Sequence, residues 1–288
     1  YLDQIEKFPN KILLNGPKGI GKKLLVNHLL NYLYSKNNEQ FYDLKNNEYK
    51  INNNLSSLIS NNSHPNIFKI QKKKDKKIID IDQIREMIQF TNQTSFNNEK
   101  KIIIIENINL LGINSANALL KSIEEPNQKT YYILINNSEF KILETIKSRC
   151  LEFKLSLMNS EVIEIVNYYF NSDKYNDINL DFINNYNSPS FLISLVNFLE
   201  TNDLSIKECN IEDLLTYIIK NKLYISDEFI KEYLNLFIEL FFYKNINNSK
   251  NISFKIKKYF YLKLSFVKKY NLDFESFFLE FNDKLLSE

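Results

Sequence analysis

Several residue types are scarce in this sequence, and each shortage excludes a class of structure. The 288 residues include two cysteines, four glycines, five prolines and no tryptophan. Because Cys150 and Cys209 are too few for a four-thiolate zinc site or a disulfide framework, we expect no zinc and a reducing, cytoplasmic environment. No apolar run approaches the roughly 20 residues that span a bilayer, so we expect no membrane partner. A net charge of +2 leaves any affinity for nucleic acid to local patches.

Apolar residues, in contrast, are abundant. They make up 44% of the chain, and Ile, Leu, Phe and Tyr recur with helical and strand periodicity. Disordered chains lack such residues, so the heavy use of Asn and Lys does not indicate disorder. The length and the apolar content together predict two or three folded domains of about 100–150 residues each.

Three of the four glycines, Gly16, Gly19 and Gly21, lie within six residues of each other. They follow a short apolar strand and precede a segment with helical periodicity, and the pattern G-x-x-x-x-G-K is met from Gly16 to Lys22. In such loops, backbone N–H groups and the helix N-terminus hold phosphate oxygens while the lysine neutralises them. The pattern therefore predicts a phosphate-binding loop; the alternative is an ordinary glycine turn.

The next position of this motif departs from the pattern. Lys23 stands where a Ser or Thr would place its hydroxyl on Mg²⁺. An ammonium group cannot ligate a cation, and its charge repels one. The motif therefore indicates the fold more strongly than it indicates catalysis.

A second strand carries another altered position. The run Ile102–Ile105 is continuously apolar, which is typical of a parallel strand buried on both faces, and it ends in Glu106 and Asn107. ATPases with a phosphate-binding loop carry an Asp for Mg²⁺ here, often beside a group that orients water. Glu106 could reach a metal, but the amide of Asn107 cannot act as a general base. The alternative is that Glu106 merely ends a strand.

Further elements follow the same alternation of strand and helix. Asn114 is predicted to cap a helix that stops at Pro126. The strand Tyr131–Ile135 ends in Asn136, a polar residue placed to contact a γ-phosphate or its water. Before these elements, a lysine-rich run predicts a solvated loop, with a DNA-facing patch as the alternative; its members are Lys69, Lys72, Lys73, Lys74, Lys76 and Lys77.

Taken together, these pieces resemble the delta-prime branch of the clamp-loader subunits of bacterial DNA polymerase III, within the AAA+ superfamily. The matching segments occur in family order over roughly the first 155 residues, and two of them, Ala116–Pro126 and Ser148–Cys150, are specific to clamp-loader subunits. The others are Phe8–Leu13, Gly16–Lys22, His64–Asn66 and Ile81–Arg85.

The resemblance implies a role for Arg149. In the family, the arginine of Ser-Arg-Cys faces the ATP held by the neighbouring subunit and acts as an arginine finger in trans. Guanidinium suits this role because it is planar, always charged and bidentate to phosphate oxygens. The alternative is an arginine in a surface ion pair.

Departures from the family pattern separate its branches. ATP-hydrolysing gamma/tau subunits carry four zinc-binding cysteines that this chain lacks, and Lys23 and Asn107 break both nucleotide motifs. A basic residue expected near Asn187–Ser190 is not evident. These departures favour the delta-prime branch, and they leave open whether the loop binds ATP.

The remaining sequence is helical in pattern. We expect helices over Glu161–Phe170 and Phe191–Leu199, then a helix capped by Ser226 and two more amphipathic faces after it. The predicted fold is an AAA+ P-loop α/β domain (residues 1–155), a helical lid (156–202) and a C-terminal helical collar domain (203–288). The residues predict helices in the last two regions, and the resemblance implies their assignment as lid and collar.

The resemblance also implies a function and partners. The chain is expected to be a non- or weakly hydrolysing subunit that contacts gamma/tau and delta subunits, and through them the sliding clamp and primed DNA. One alternative is an active gamma/tau-like ATPase. The other is a stand-alone nucleotide-binding module.

Overall fold

The structure, a computed structural model, describes residues 8–35, 42–43, 48–49, 54–73, 76–127, 129–183, 187–247, 254–270 and 272–286. The chain divides into two compact units, Tyr1–Leu157 and Met158–Glu288. Within the described residues, no helix combines the length and the apolar content needed to cross a bilayer.

The first unit alternates strands and helices. In chain order the elements are β1 (Lys11–Gly16), α1 (Lys22–Tyr34), β2 (Tyr42–Asp43), β3 (Glu48–Tyr49), α2 (Asn54–Ser60), β4 (Ile67–Ile70), α3 (Ile81–Asn92), β5 (Lys101–Ile105), α4 (Ile113–Glu124), β6 (Thr130–Asn137), α5 (Glu144–Lys147) and β7 (Leu151–Lys154). Strands β1, β4, β5, β6 and β7 form one parallel sheet in the order β4-β5-β6-β1-β7, while β2 and β3 form a small antiparallel pair.

Both faces of the sheet are covered by helices. Side chains of successive strand residues point to opposite faces, so Ile103 and Ile105 of β5 join one buried cluster while Ile102 and Ile104 join another. Helices α3 and α4 supply the first cluster, and α1 and α2 supply the second. All five residues of β5 are buried, which confirms the prediction of a strand buried on both faces.

The parallel arrangement gathers the candidate site residues at one edge of the sheet. Strands that run in the same direction end on the same side, where ligands of open α/β sheets bind. Asn15 is in register with Asn136, and Gly16 with Asn137. Glu106 directly follows β5, the neighbour of β6. Strand β7 lies at one edge of the sheet, beside β1.

The regular secondary structure of the second unit's described residues is helical. Its helices are α6 (Asn159–Phe170), α7 (Pro189–Thr201), α8 (Ile211–Lys220), α9 (Leu223–Ser226), α10 (Glu228–Asn247), α11 (Phe254–Tyr270) and α12 (Phe274–Phe281), followed by a π-helical turn at Asn282–Leu286. The helices predicted from Glu161 and from Phe191 are both present as α6 and α7. Helix α8 was not predicted.

Two predicted helix caps are wrong by one or two residues. Helix α4 begins at Ile113 with Gly112 as its N-cap, so Asn114 lies inside the first turn. Ser226 ends α9, and the Oδ1 of Asp227 accepts a hydrogen bond from the Ile230 N–H at 2.9 Å. An N-cap side chain must accept from the N–H two or three residues later, and Asp227 is the residue that does so.

Aromatic contacts dominate the core of the second unit. Phe191 of α7 lies 5.0 Å from Tyr233 and 5.9 Å from Phe237 of α10, between ring centroids. Phe198 lies 5.4 Å from Phe229 in the same way. Residues assigned to the predicted lid therefore pack directly on residues assigned to the predicted collar, and the boundary between residues 202 and 203 stays a prediction.

Candidate functional site

The glycine loop between β1 and α1 has the backbone that its sequence requires. Gly19 and Gly21 have φ angles of 81° and 92°, in the left-handed region that side chains with a Cβ rarely adopt. A Cβ on Gly16 would lie 2.5 Å from the carbonyl oxygen of Leu155. The first N–H groups of α1 have no partner within the helix, as at every helix N-terminus, so the loop presents donors that fit phosphate oxygens.

Lys22 folds back onto this loop. Its Nζ donates to the carbonyl oxygens of Gly16 at 2.7 Å and Pro17 at 2.5 Å, and the residue is buried. Burial lowers the pKa of Lys22 from 10.5 to about 8, and the charge of Glu139 opposes that shift. The ammonium group of Lys22 is therefore held by carbonyl oxygens of its own loop.

Lys23 points to a different acceptor. Its Nζ lies 2.5 Å from Oε2 of Glu106, while the Nζ of Lys69 on β4 lies 3.1 Å from Oε1 of the same carboxylate. The Glu106 side chain is 3% exposed, whereas that of Lys23 is 63% exposed. A buried carboxylate is costly unless it is paired, and here two lysines pair with one acid.

This arrangement does not fit Mg²⁺. Mg²⁺ requires oxygen ligands at about 2.0–2.1 Å in near-octahedral geometry, and Lys23 supplies none at the position of the usual hydroxyl. Like unit charges 4 Å apart repel by about 1 kcal/mol in water and about 4 kcal/mol near a protein surface. The exposure of Lys23 favours the lower figure, but a divalent ion would face two ammonium groups at once.

Four asparagines at the strand ends hydrogen-bond with one another and with nearby backbone carbonyl groups. The Nδ2 of Asn136 donates to Oδ1 of Asn15 at 3.0 Å and to the carbonyl oxygens of Asn137 at 2.9 Å and Phe140 at 3.2 Å. The Nδ2 of Asn137 donates to Oδ1 of Asn107 at 3.0 Å. The amide hydrogens of Asn136 are therefore already used, and a contact to phosphate would require them to exchange partners.

The predicted finger lies after α5 and is held locally. Arg149 Nη2 lies 2.6 Å from Oε1 of Glu124, and Nη1 donates to the carbonyl oxygen of Thr145 at 3.0 Å. Both side chains of the ion pair are partly exposed. The neighbouring thiol of Cys150 is partly buried, and burial raises its pKa to about 11, which is unsuited to a nucleophile.

The structure thus groups the predicted residues into two sets. Gly16, Gly19, Gly21, Lys22, Lys23, Glu106, Asn107 and Asn136 lie at the carboxyl edge of the sheet or in the loop beside it, and Arg149 forms its own pair with Glu124. Sequence reasoning missed Lys69, which it assigned to the solvated run. The sequence alone does not single out Lys69 within that run, because what distinguishes it is the register of β4 beside β5, which the structure supplies.

Metal-ligating side chains are dispersed over the part of the chain that the structure describes. Among the residues that the structure describes, no three or more of these groups form a cluster that could hold a metal ion. Lys74, a member of the lysine-rich run, lies outside the described residues.

Comparison with known sequences gives consistent relatives. A family model described as "DNA polymerase III, delta subunit" matches residues 3–159. The DNA polymerase III subunit delta' of Pseudomonas aeruginosa is 34% identical over 140 residues, which cover 49% of this chain and 41% of that protein. The subunit delta' of Buchnera aphidicola subsp. Schizaphis graminum is 34% identical over 167 residues, which cover 57% of this chain and 49% of that protein. The match thus spans less than half the length of these relatives.

A solved structure shares the fold along nearly all of this chain. The DNA polymerase III gamma subunit-related protein of Thermotoga maritima superposes with a TM-score of 0.51 at 17% identity. The superposition covers 97% of this chain and 95% of that one. This likeness extends the comparison into the helical second unit, which the family model does not reach.

Proposed function

The chain belongs to the DNA polymerase III delta subunit family, whose curated relatives here are delta-prime clamp-loader subunits, and from this premise we propose that it is a clamp-loader subunit without ATP hydrolysis of its own. Its fold is the P-loop α/β fold of AAA+ proteins followed by a helical region. In this proposal it supplies Arg149 to the ATP site of a neighbouring gamma/tau subunit.

One observation carries the non-hydrolysing role: the Lys23 ammonium lies 2.5 Å from Glu106. Phosphoryl transfer by P-loop ATPases depends on Mg²⁺ held by the hydroxyl and carboxylate at these two positions, and on a group that orients the attacking water. Here the hydroxyl is replaced by the ammonium of Lys23, and the carboxylate of Glu106 is already paired with two lysines. The side chain of Asn107 accepts a hydrogen bond from Asn137. No group in this set is placed to activate water.

The proposed partners follow from the family. We propose contacts with gamma/tau and delta subunits, and through the assembled complex with the sliding clamp and primed DNA in the cytoplasm. A gamma subunit from Buchnera aphidicola subsp. Schizaphis graminum is 39% identical to this chain over 83 residues, which supports a shared subunit architecture.

ATP turnover by the purified chain tests the first part of the proposal. With Mg²⁺ present, we expect no turnover above that of a Lys22→Ala variant, because the metal and the water-activating group are missing. Turnover that Lys22→Ala abolishes would instead identify an active gamma/tau-like ATPase and overturn the proposal.

Arg149→Ala in the reconstituted complex tests the second part. An arginine finger contributes about 10³–10⁵ in rate in other NTPases, so we expect single-turnover hydrolysis at the neighbouring site to fall about 10³-fold. The matched control is Arg85→Ala, which removes the chain's other arginine from its surface pair with Asp82. Before DNA is added, the complex that carries Arg85→Ala should hydrolyse ATP at the same single-turnover rate as the unaltered complex. Unchanged hydrolysis with Arg149→Ala would eliminate the finger.

A further inference from the structure

The Lys23 side chain occupies the place where a P-loop ATPase holds its divalent cation. That place is defined by two groups, the hydroxyl after the loop lysine and the carboxylate at the end of the second strand. In this chain a lysine fills the first position, and its ammonium contacts the carboxylate at the second position. The ammonium is therefore a cation tethered to the protein at the metal position.

We infer that Lys23, supported by Lys69, replaces the divalent cation, so that the glycine loop takes a nucleoside triphosphate without Mg²⁺. This inference rests on the proposed function, whose nucleotide site it specifies. A metal at this position neutralises phosphate oxygens and bridges them to the protein. An ammonium group offers one positive charge and three N–H donors, so it can perform both tasks for a phosphate.

The charge at the site suits a polyanion. Lys23 and Lys69 face the single carboxylate of Glu106, which leaves one positive charge in excess at the end of β5. Lys22 adds a further positive charge at the loop, where the charge of Glu139 acts on it. Glu106 is buried, so its contacts fix where the two ammonium groups lie. Lys22 would exchange the carbonyl oxygens of Gly16 and Pro17 for phosphate oxygens, which are stronger, charged acceptors.

The same substitution explains why binding would not lead to hydrolysis. An ammonium group neutralises charge, but it has no vacant coordination position and cannot hold an inner-sphere water. A bound triphosphate would therefore be held by charge and hydrogen bonds alone. The carboxylate of Glu106, already bonded to two lysines, would serve to position the cations instead of binding a metal.

Calorimetric titration of the purified full chain with ATP tests the inference directly. We expect the dissociation constant in Mg²⁺ to lie within about threefold of that in a chelator, or to be weaker in Mg²⁺, since Mg²⁺ competes with the ammonium groups for the phosphates. Mg²⁺ that strengthens binding by about tenfold or more would overturn the inference, and so would a failure to bind ATP in either condition.

Variants at position 23 separate the charge from the shape of the side chain. Lys23→Thr restores the hydroxyl, and we expect its ATP binding to become at least about tenfold stronger in Mg²⁺ than in chelator. Lys23→Arg keeps the charge and should remain independent of Mg²⁺. Lys207→Thr, an exposed lysine of the second unit, makes the same change in net charge and should behave as the unaltered chain.

These readouts are independent of catalysis, so the two proposals fail separately. If ATP binds tightly only with Mg²⁺ and is not hydrolysed, the inference about Lys23 fails but the non-hydrolysing clamp-loader role stands. Mg²⁺-dependent binding accompanied by turnover would overturn both. If Lys23→Thr does not fold, as judged by its thermal melt, the titrations of the unaltered chain and of Lys23→Arg still decide the question.

Discussion

Lys22 and Lys23 are adjacent in the chain, yet their ammonium groups have different surroundings. Lys22 is buried against the carbonyl oxygens of its own loop, whereas Lys23 crosses from an exposed position to a buried carboxylate. Consecutive residues of a helix point about 100° apart, so one of the pair faces the loop and the other faces the end of β5. At the residue scale, two side chains of the same type therefore have different partners because of their different positions in the first turn of α1.

The lowered pKa of Lys22 predicts a specific dependence of stability on pH. The pKa is about 8 in the folded chain and 10.5 as the reference value, so between these values the unfolded chain binds the proton that the folded chain has released. Stability then rises as the pH increases through this window. We expect this rise in the free energy of unfolding to reach up to about 3 kcal/mol across the window, and we expect Lys22→Met to abolish it.

Urea unfolding at a series of pH values measures this difference. Because tyrosines and other lysines titrate in the same window, the quantity of interest is the free energy of unfolding of the unaltered chain minus that of Lys22→Met. Lys207→Met, at an exposed position, is the control and should leave the slope in place. Parallel profiles for the unaltered chain and Lys22→Met would contradict the assigned shift.

The ion pair between Glu124 and Arg149 can be tested by itself, because Arg149 must leave Glu124 to reach a neighbouring ATP. Ion pairs between exposed groups are worth about 0–1 kcal/mol, so releasing Arg149 from Glu124 costs little. We expect Glu124→Gln to change hydrolysis at the neighbouring site by no more than about fivefold in either direction. Single-turnover kinetics of the reconstituted complex measure this. A loss as large as that of Arg149→Ala would show that Glu124 positions Arg149 for its proposed role.

At the scale of single elements, the start of α10 offers a clear test. Asp227 accepts from the Ile230 N–H, whereas Ser226 belongs to the preceding helix. We expect Asp227→Ala to lower the free energy of unfolding by about 1 kcal/mol, the usual value for a lost N-cap. Ser226→Ala should stay within about 0.5 kcal/mol and serves as the neighbouring control. Equal losses in urea unfolding would mean that Asp227 does not cap the helix.

The strands were predicted more securely than the helix starts, for a physical reason. An unbroken run such as Ile102–Ile105 is stabilised only by burial on both faces, so its environment can be inferred from composition. A helix start depends on which of several adjacent polar residues turns its side chain toward the first N–H groups. Ser226 and Asp227 are both good caps by type, and the short helix α9 decides between them by absorbing Ser226.

The candidate site shows the same division between what sequence reveals and what it does not. Parallel strands end at one edge, so the proximity of the loop, Glu106 and Asn136 could be predicted from their places at strand ends. The pairing of Lys69 with Glu106 could not, because a lysine-rich run usually indicates solvated charge. Only the register of β4 beside β5 distinguishes Lys69 from its neighbours in that run.

For the molecule as a whole, the family match and the domain structure divide the chain at nearly the same place. The family model reaches residue 159, and the first unit ends at Leu157. The second unit therefore lies beyond the matched region, although its fold is shared with the gamma subunit-related protein of Thermotoga maritima. Its internal organisation is the part of the predicted architecture that most needs a direct test.

The contacts between α7 and α10 determine what that test should show. Phe229 and Tyr233 of α10 pack on Phe191 and Phe198 of α7, and Lys244 pairs with Asp181 at 2.8 Å. A fragment of residues 203–288 would lose these partners, which is comparable to truncating one or two core aromatics at about 3–5 kcal/mol each. A fragment of residues 158–288 keeps them.

We therefore expect residues 158–288 to unfold in one cooperative thermal transition, and residues 203–288 to lack such a transition and to bind a hydrophobic dye. Circular dichroism melts and dye fluorescence of the two fragments, made in parallel, measure both properties. The shorter fragment differs from the longer one only in lacking residues 158–202, which hold α6, α7 and the segment between these two helices. If it melts cooperatively at the same temperature, the predicted lid and collar are independent domains, and the aromatic contacts between them contribute little to the stability of either.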